Sequence, residues 1–163
     1  MADRYVLRTV LKPGDLGEMV RLHGVEYARD FGFDRTFEAY VAASLGEAVK
    51  RFDPERDRIW LAEAEDRIIG MIGMIGVEAG TAQLRWFLVV REARGLGLGS
   101  RLLEEGLSFC RVAGHHRVIL WTVGSLTAAA RLYRGTGFRL VAENPREQWG
   151  THVVEQCYEL DLG

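Results

Sequence analysis

The chain has 163 residues, 48% of them hydrophobic, and a formal net charge of −2. That length suits one domain burying roughly 68–70% of its unfolded surface, large enough to need no disulfide or metal staple. Its basic residues are scattered, which argues against a nucleic-acid groove or an anionic membrane surface and points to a small partner. Cys110 and Cys157 lie far apart with no paired spacing, so they read as core thiols, with no zinc site and no disulfide framework. The start Met1-Ala2-Asp3-Arg4 has no apolar leader, and no run approaches the ~20 apolar residues of a membrane span, so the expected location is the cytoplasm.

Tyr5 to Leu11 alternates as a strand does, and Lys12-Pro13-Gly14 turns it. Asp15 with Glu18 forms a capping-box pattern, and Leu16, Met19, Val20, His23 and Tyr27 recur at helical spacing. A second helix is predicted over Phe37 to Phe52, with Thr36 as N-cap and Asp53-Pro54 beyond its end. Ile59 to Ala64 and Ile68 to Val77 read as a hairpin joined at Glu65-Asp66, its second strand weakened or bulged at Gly70, Gly73 and Gly76. Ala82 to Val90 is a central strand, and its apolar end from Trp86 predicts cover on both faces. Leu98 to Ala113 carries apolar residues at offsets of three and four and stops at Gly114. Beyond it, Val118 to Val123 is a strand, Leu126 to Arg134 a helix closed by Gly135-Thr136-Gly137, and Phe138 to Ala142 and Val153 to Leu162 are strands, the last with Val154, Tyr158, Leu160 and Leu162 on one face. The sum is a mixed α/β sheet.

Between the central strand and the third helix runs Arg94-Gly95-Leu96-Gly97-Leu98-Gly99-Ser100. Alternating glycines let successive backbone N–H groups point into one concavity, and the helix start behind them adds partial positive charge, so the turn can cradle a diphosphate. A nucleoside-triphosphate loop would need Gly-Lys-Ser/Thr, whereas Gly99 is followed by Ser100-Arg101. A dinucleotide fold would put its glycines after the first strand with an acid about twenty residues on, and here Gly114-His115-His116 stands in that place.

Arg94-x-x-Gly97-x-Gly99 after an apolar strand, followed by Leu132-Tyr133-Arg134-Gly135-Thr136-Gly137-Phe138, resembles the GNAT superfamily of acetyl-CoA-dependent N-acetyltransferases, and the element order agrees over nearly the whole chain. Leu120-Trp121-Thr122 with Ser125-Leu126, Phe138 to Val141 and Glu159 to Leu162 are similar to the acetyltransferase halves of bacterial MarR-type regulator fusions, here without a DNA-binding half. The resemblance implies a mostly antiparallel sheet of about seven strands flanked by about four helices, with a splayed cleft for acetyl-CoA. It implies direct acetyl transfer to a primary amine of a small molecule or peptide through a tetrahedral intermediate, without a metal, and it is compatible with a homodimer.

Carried over by position, the resemblance makes the amides of Gly95, Leu96, Gly97, Leu98, Gly99 and Ser100 the diphosphate contacts, with Arg94 shaping the turn. Phe87, Leu88 and Val89 offer main-chain groups to the pantetheine arm, and a backbone N–H there faces the thioester oxygen. Tyr133 is the candidate general acid, because a phenol and a thiol have ordinary pKa values near 10 and 8.5 and proton transfer between them is close to balanced.

The chain departs from the family pattern at Leu126, where relatives carry Asn, and at Gln83, where they carry a carboxylate base. The base is therefore open among His23, Glu26, His152 and a water chain, His23 reading equally as a core histidine on its apolar stripe. His115 and His116 read as surface or capping groups. The acceptor pocket is expected from the first two helices, the strand at Gln83 and Arg85, and a loop from Asn144 to Gly150, with Tyr27, Phe31, Phe33, Trp86 and Trp149 as its walls and Arg85 or Arg146 for an acceptor carboxylate. A binding module that kept the cradle and lost turnover is the alternative function.

Overall fold

The computed structural model describes residues 4–163, and the opening Met1-Ala2-Asp3 lies outside the described residues. The elements in chain order are β1 (Val6–Arg8), α1 (Asp15–Phe31), α2 (Arg35–Lys50), β2 (Arg58–Ala64), β3 (Arg67–Glu78), β4 (Thr81–Val89), α3 (Leu98–Val112), β5 (Arg117–Val123), α4 (Thr127–Thr136), β6 (Arg139–Gln148) and β7 (Thr151–Asp161), with one 3₁₀ turn at Arg91–Ala93. The strands form a single seven-stranded sheet in the order β1-β2-β3-β4-β5-β7-β6. Every neighbouring pair is antiparallel except β4 with β5, which is parallel and brief: Thr81, Ala82 and Gln83 face Arg117, Val118 and Ile119, and the ladder ends there. Past Gln83 the two strands diverge and leave a cleft in the middle of the sheet. The four helices and seven strands are the GNAT-type arrangement expected above.

Several boundaries differ from the sequence expectation for physical reasons. The capping box at Asp15 does not form. Gly14 sits at the N-cap in a left-handed conformation, while Asp15, inside the helix, accepts from the Lys12 N–H at 2.6 Å and is paired with Arg8 at 2.7 Å. Asp34, not Thr36, caps α2, its carboxylate accepting from the Thr36 N–H at 2.9 Å. The Glu65-Asp66 hairpin holds, both residues taking positive φ as a tight two-residue turn requires.

The loop expected from Asn144 to Gly150 is mostly strand. β6 is the last strand of the sheet, so Pro145 costs it no ladder bond on the open side, and pairing with β7 runs on to Gln148↔Thr151 around a turn at Trp149 and Gly150, both at positive φ. On β7 the inward residues switch from Val153 to the adjacent pair Cys157 and Tyr158, which breaks the simple alternation read from the sequence and leaves Val154 exposed. His115 is no surface group: it is buried and its ring holds the Arg56 carbonyl at 3.0 Å.

Helices α1 and α2 pack on one another, and α3 lies on β2, β3 and β4. Leu98 and Leu102 of α3 close over Gly70, and Met74 lies against Gly106, so glycines admit the helix closely to the sheet. The core is apolar and contiguous, with Tyr158, Met19, Leu61, Ile72 and Leu102 fully buried. Among the described residues no helix is long and apolar enough to cross a membrane.

Candidate active site

The cleft between β4 and β5 carries two cavities. The outer one, about 550 Å³, runs along Phe87, Leu88 and Val89 to Arg94, Gly95, Gly97, Leu98 and Gly99, with Ser125 to Ala129 and Leu132 opposite. The inner one, about 180 Å³, is bounded by α1, α2, β4, β5, α4 and the β6–β7 hairpin, and Tyr133, His23, Gln83, Gln148 and Glu155 lie in its wall. Tyr27, Phe87, Leu126 and Ala129 line both cavities, so the two adjoin.

The glycine turn has the backbone its spacing predicts. Gly95 and Gly97 are left-handed at φ 79° and 84°, and nothing lies within 4 Å of a Cβ built on either. Gly97 is the N-cap of α3 and has no side chain to cap it, so the first-turn N–H groups of Leu98, Gly99 and Ser100 have no side-chain acceptor from the cap. Leu96 and Ser100 themselves are not in the cavity wall.

Arg94 both shapes this turn and ties it down. Its Nε donates to the Val89 carbonyl at 3.0 Å and its guanidinium pairs with Asp30 at 2.9 Å. Arg91 also pairs with Asp30, and the Arg91 N–H donates to Glu26 at 3.0 Å. Burial opposes the charge on Asp30, but the Arg94 and Arg91 guanidiniums outweigh it and hold the carboxyl below its ordinary range. Two acids of α1 therefore anchor the segment that follows β4.

The direction of the β4 groups follows from two bonds. The Val90 N–H donates to the Ile69 carbonyl of β3, whereas the Val89 carbonyl is taken by Arg94 from the other side. Strand alternation then turns the peptide groups of Phe87 and Val89 toward the cleft, where no strand pairs with them. Trp86, Leu88 and Val90 are buried while Phe87 and Val89 are half-buried, so the expected cover on both faces is missing along the cleft. β4 is also bulged: Arg85 pairs with Gly73 and Leu88 with Met71, leaving Trp86 and Phe87 opposite Ile72 alone. Trp86 takes φ 51°, a strained conformation for a bulky residue, held by its indole N–H on Ser44 Oγ at 3.0 Å.

Tyr133 is buried on α4, among Phe87, Phe138 and Tyr158 at ring distances of 5.6 to 6.1 Å. Burial drives its pKa well above that of a free phenol, and Tyr27 and Tyr158 add to the effect, so it stays protonated at any working pH. His23 is 3% exposed and lines the inner cavity. Its Nδ1 lies 2.8 Å from the Met19 carbonyl, which can only accept, so Nδ1 carries the proton and Nε2 is the free acceptor. Burial pushes its pKa down to about 4.

Glu26 is absent from both cavity walls, and its oxygens are spent on Arg29 and the Arg91 N–H. His152 is 91% exposed at the tip of the hairpin beside Glu147. Of the two arginines considered for an acceptor carboxylate, Arg85 lines the inner cavity and Arg146 pairs with Glu155 at 3.3 Å.

Two wall residues were missed by the sequence reading. Glu155 is the one carboxylate among the described residues lining the inner cavity, and Gln148 lines it too, its amide oxygen turned away from that space and buried without a hydrogen-bond partner. Gln148 lies in the stretch read as loop and Glu155 on the predicted last strand, and the Trp149-Gly150 turn that joins them was the available signal. The same hairpin reaches α2: the Asp34 N–H donates to the Trp149 carbonyl at 2.9 Å, and Trp149 packs on Phe33 and Phe37 at 5.0 and 4.9 Å.

The model of the acetyltransferase (GNAT) family matches residues 18–138. The chain belongs to that family. It is accordingly an acyltransferase. Among curated relatives it is similar to an uncharacterized N-acetyltransferase of Schizosaccharomyces pombe, 28% identical with 82% of each chain covered. It is also similar to N-acetyltransferase 8 of Homo sapiens, 28% identical over 74% of this chain and 57% of the human one. A GNAT acetyltransferase of Staphylococcus aureus superposes with a TM-score of 0.77 at 18% identity, covering 97% of this chain and all of that one. A Salmonella typhimurium protein described as an acetyltransferase and solved with its cofactor acetyl-CoA gives a TM-score of 0.74 at 16% identity, over 98% and 94%.

Proposed function

We propose that this member of the family transfers an acetyl group from acetyl-CoA to a primary amine of a small molecule or peptide. The observation that carries the reading is the meeting of the two cavities at Phe87, with the glycine turn at one end and Tyr133 in the wall at the other. The residues fit a CoA diphosphate: left-handed Gly95 and Gly97 leave open space, and an uncapped helix start faces it. When bound, acetyl-CoA supplies an activated acyl carbon and a thiol leaving group.

The amides of the Gly95 to Ser100 segment hold the diphosphate, and the Phe87 and Val89 peptide groups take the extended arm as a strand edge takes a peptide. The Phe87 N–H, freed from the ladder by the bulge, stabilises negative charge growing on the acyl oxygen. Tyr133 holds a proton for the departing sulfur. Its burial raises the phenol, but the same dry surroundings raise a thiol, so the exchange between them stays near balance. The amine must lose a proton before it attacks. Glu26 is occupied elsewhere, and Glu155 is the carboxylate of the inner wall, with only one of its oxygens in the ion pair with Arg146, so we assign that proton to Glu155. The narrower kinship with MarR-type fusion halves rests on the Leu120 to Thr122 and Phe138 to Val141 stretches and stands as part of this proposal.

Thiol release from acetyl-CoA across a panel of amines tests the reading. Tyr133→Phe should lower kcat by about 10²- to 10⁴-fold while CoA binding stays close to wild type. CoA binding without amine-stimulated thiol release, in wild type and variant alike, refutes it and favours a CoA-binding module.

A further inference from the structure

His23 lines the inner cavity with half of its hydrogen-bonding capacity unused. Its Nδ1 is spent on the Met19 carbonyl, which leaves Nε2 as a lone-pair acceptor. Among the described residues no group donates to Nε2. Nor is Nε2 one of the unpaired polar atoms closed off from all reachable space, which are the Gln148 amide oxygen and the Tyr158 hydroxyl. Its lone pair therefore meets the space of the cavity that His23 lines. The ring is also fixed in direction. It stacks on Tyr27 at 5.7 Å and 25° and lies beside Phe37 at 6.5 Å, and a flip would give up the bond to Met19. Burial keeps the imidazole neutral, with a pKa lowered to about 4, so Nε2 stays an acceptor wherever the enzyme works.

The same wall sets Gln83, Thr122 and the Glu155 carboxylate among aromatic rings, so it serves polar and apolar skeletons alike. What Nε2 asks of a ligand is a hydrogen-bond donor, because a buried acceptor without one is costly. An amine, as the free base or as the ammonium, brings N–H donors. A positive charge arriving beside the ring also opposes protonation of the imidazole, so the lone pair is kept. Resting on the acetyltransfer reading, we infer that His23 is an amine-binding residue: its Nε2 accepts one N–H of the acceptor and holds the reacting nitrogen while another proton leaves to Glu155. The imidazole accepts a hydrogen bond there and takes no proton. Helix α1 then serves both ends of the site, since Glu26 and Asp30 anchor the segment after β4 and His23, one turn before Glu26, anchors the amine.

The test compares His23→Asn with His23→Gln, using as probe whichever of 2-phenylethylamine, spermidine and glucosamine the wild type acetylates fastest. Asparagine keeps an N–H for the Met19 carbonyl but ends short of the cavity, whereas glutamine carries an acceptor oxygen to the place of Nε2. His23→Asn should raise KM for the amine about 10- to 100-fold and leave KM for acetyl-CoA close to wild type. His23→Gln should recover most of that loss. An unchanged amine KM in His23→Asn, or an equal rise in both variants, would mean a merely structural histidine and overturn the inference. So would a kcat lost at neutral pH and regained at high pH, which makes His23 the base; each of these outcomes spares the acetyltransfer reading. Acetylation of none of the three amines, in an enzyme that binds CoA, removes that reading and this inference with it. Should the variants fail to fold, nitrogen NMR of the histidine-labelled wild type decides. His23 is the buried ring protonated at Nδ1, and the His115 Nε2 instead meets the Arg56 carbonyl, so the two are told apart. The His23 Nε2 signal should shift when the amine is added to the CoA-bound protein, and a signal that stays in place overturns the inference.

Discussion

Glu26→Gln separates a structural brace from a catalytic base. The side chain of Glu26 is 4% exposed, accepts from the Arg91 N–H at 3.0 Å and faces Arg29, with Arg94 at 3.8 Å. Glutamine keeps an oxygen for the Arg91 amide but turns an N–H₂ toward guanidinium groups, losing one charge-assisted bond and leaving donors opposed. That interaction is worth about 1.5–3 kcal/mol, toward the lower end here because Arg29 and Arg94 are partly exposed and screened. At about 2 kcal/mol, a domain of this size should melt about 4–8 °C lower. The segment after β4 then loosens, so KM for acetyl-CoA rises while kcat at saturation and the pH dependence of kcat stay close to wild type. Calorimetry with and without CoA and a kcat profile from pH 6 to 9 decide the matter. An unchanged melting temperature with kcat lost at neutral pH and recovered at high pH would refute the brace and make Glu26 the base.

Three further outcomes follow from the same geometry. His23 has a folded pKa near 4 against an ordinary 6.5, so the unfolded chain takes the proton first. Stability is therefore full above pH 6.5 and falls as the pH drops toward 4, by up to about 1.4 kcal/mol per pH unit. His23→Phe, which keeps the stack on Tyr27, should flatten that part of the denaturation profile, and an unchanged slope contradicts a buried neutral imidazole. Gly97→Ala meets no atom within 4 Å but must hold φ 84°, so urea titration should show a loss of about 1–2 kcal/mol. CoA affinity, measured by calorimetric titration, should fall by more than that strain accounts for, and an unchanged affinity would contradict the cradle.

The order of the elements was legible because glycine, proline and the switch between periods of two and 3.6 mark each boundary, and Gly114, Gly137 and the Glu65-Asp66 pair act where their chemistry predicts. The glycine turn and Tyr133 were legible because their geometry is local, set by a φ or by one face of a helix. The rest depends on partners distant in sequence. Asp15 abandons its capping pattern because Arg8 and the Lys12 amide claim it. Glu26 and Asp30 meet Arg91 across 65 and 61 residues, and no periodicity reports such a pairing. The left-handed Trp86 carries no signal of its own, because the bulge read at Gly73 is on the facing strand and the indole bond to Ser44 comes from a residue distant in sequence. The stretch from Asn144 to Gly150 is strand despite Pro145 because it lies on the sheet edge, and an edge strand cannot be told from an inner one without the sheet order.

β4 links the two halves of the site, and its incomplete pairing has a measurable consequence. β3 and β7 hold β4 and β5 in place on their outer sides, so the divergence after Gln83 costs the sheet only the few ladder bonds that those strands would have shared. The N–H groups left over, at the half-buried residues Phe87 and Val89, face a cavity instead of a strand, while the Val89 carbonyl is taken by Arg94. An open strand edge of this kind is satisfied by water in the free protein and by the main-chain-like amides of a pantetheine arm in a complex. Hydrogen exchange followed residue by residue should show the Phe87 and Val89 N–H groups exchanging fast without ligand and becoming protected on addition of CoA. The Val90 N–H, bonded to Ile69 across β3, should be protected in both states. Protection of Phe87 and Val89 before CoA is added would mean that β4 is already paired along the cleft, and the route from the glycine turn to Tyr133 would be closed.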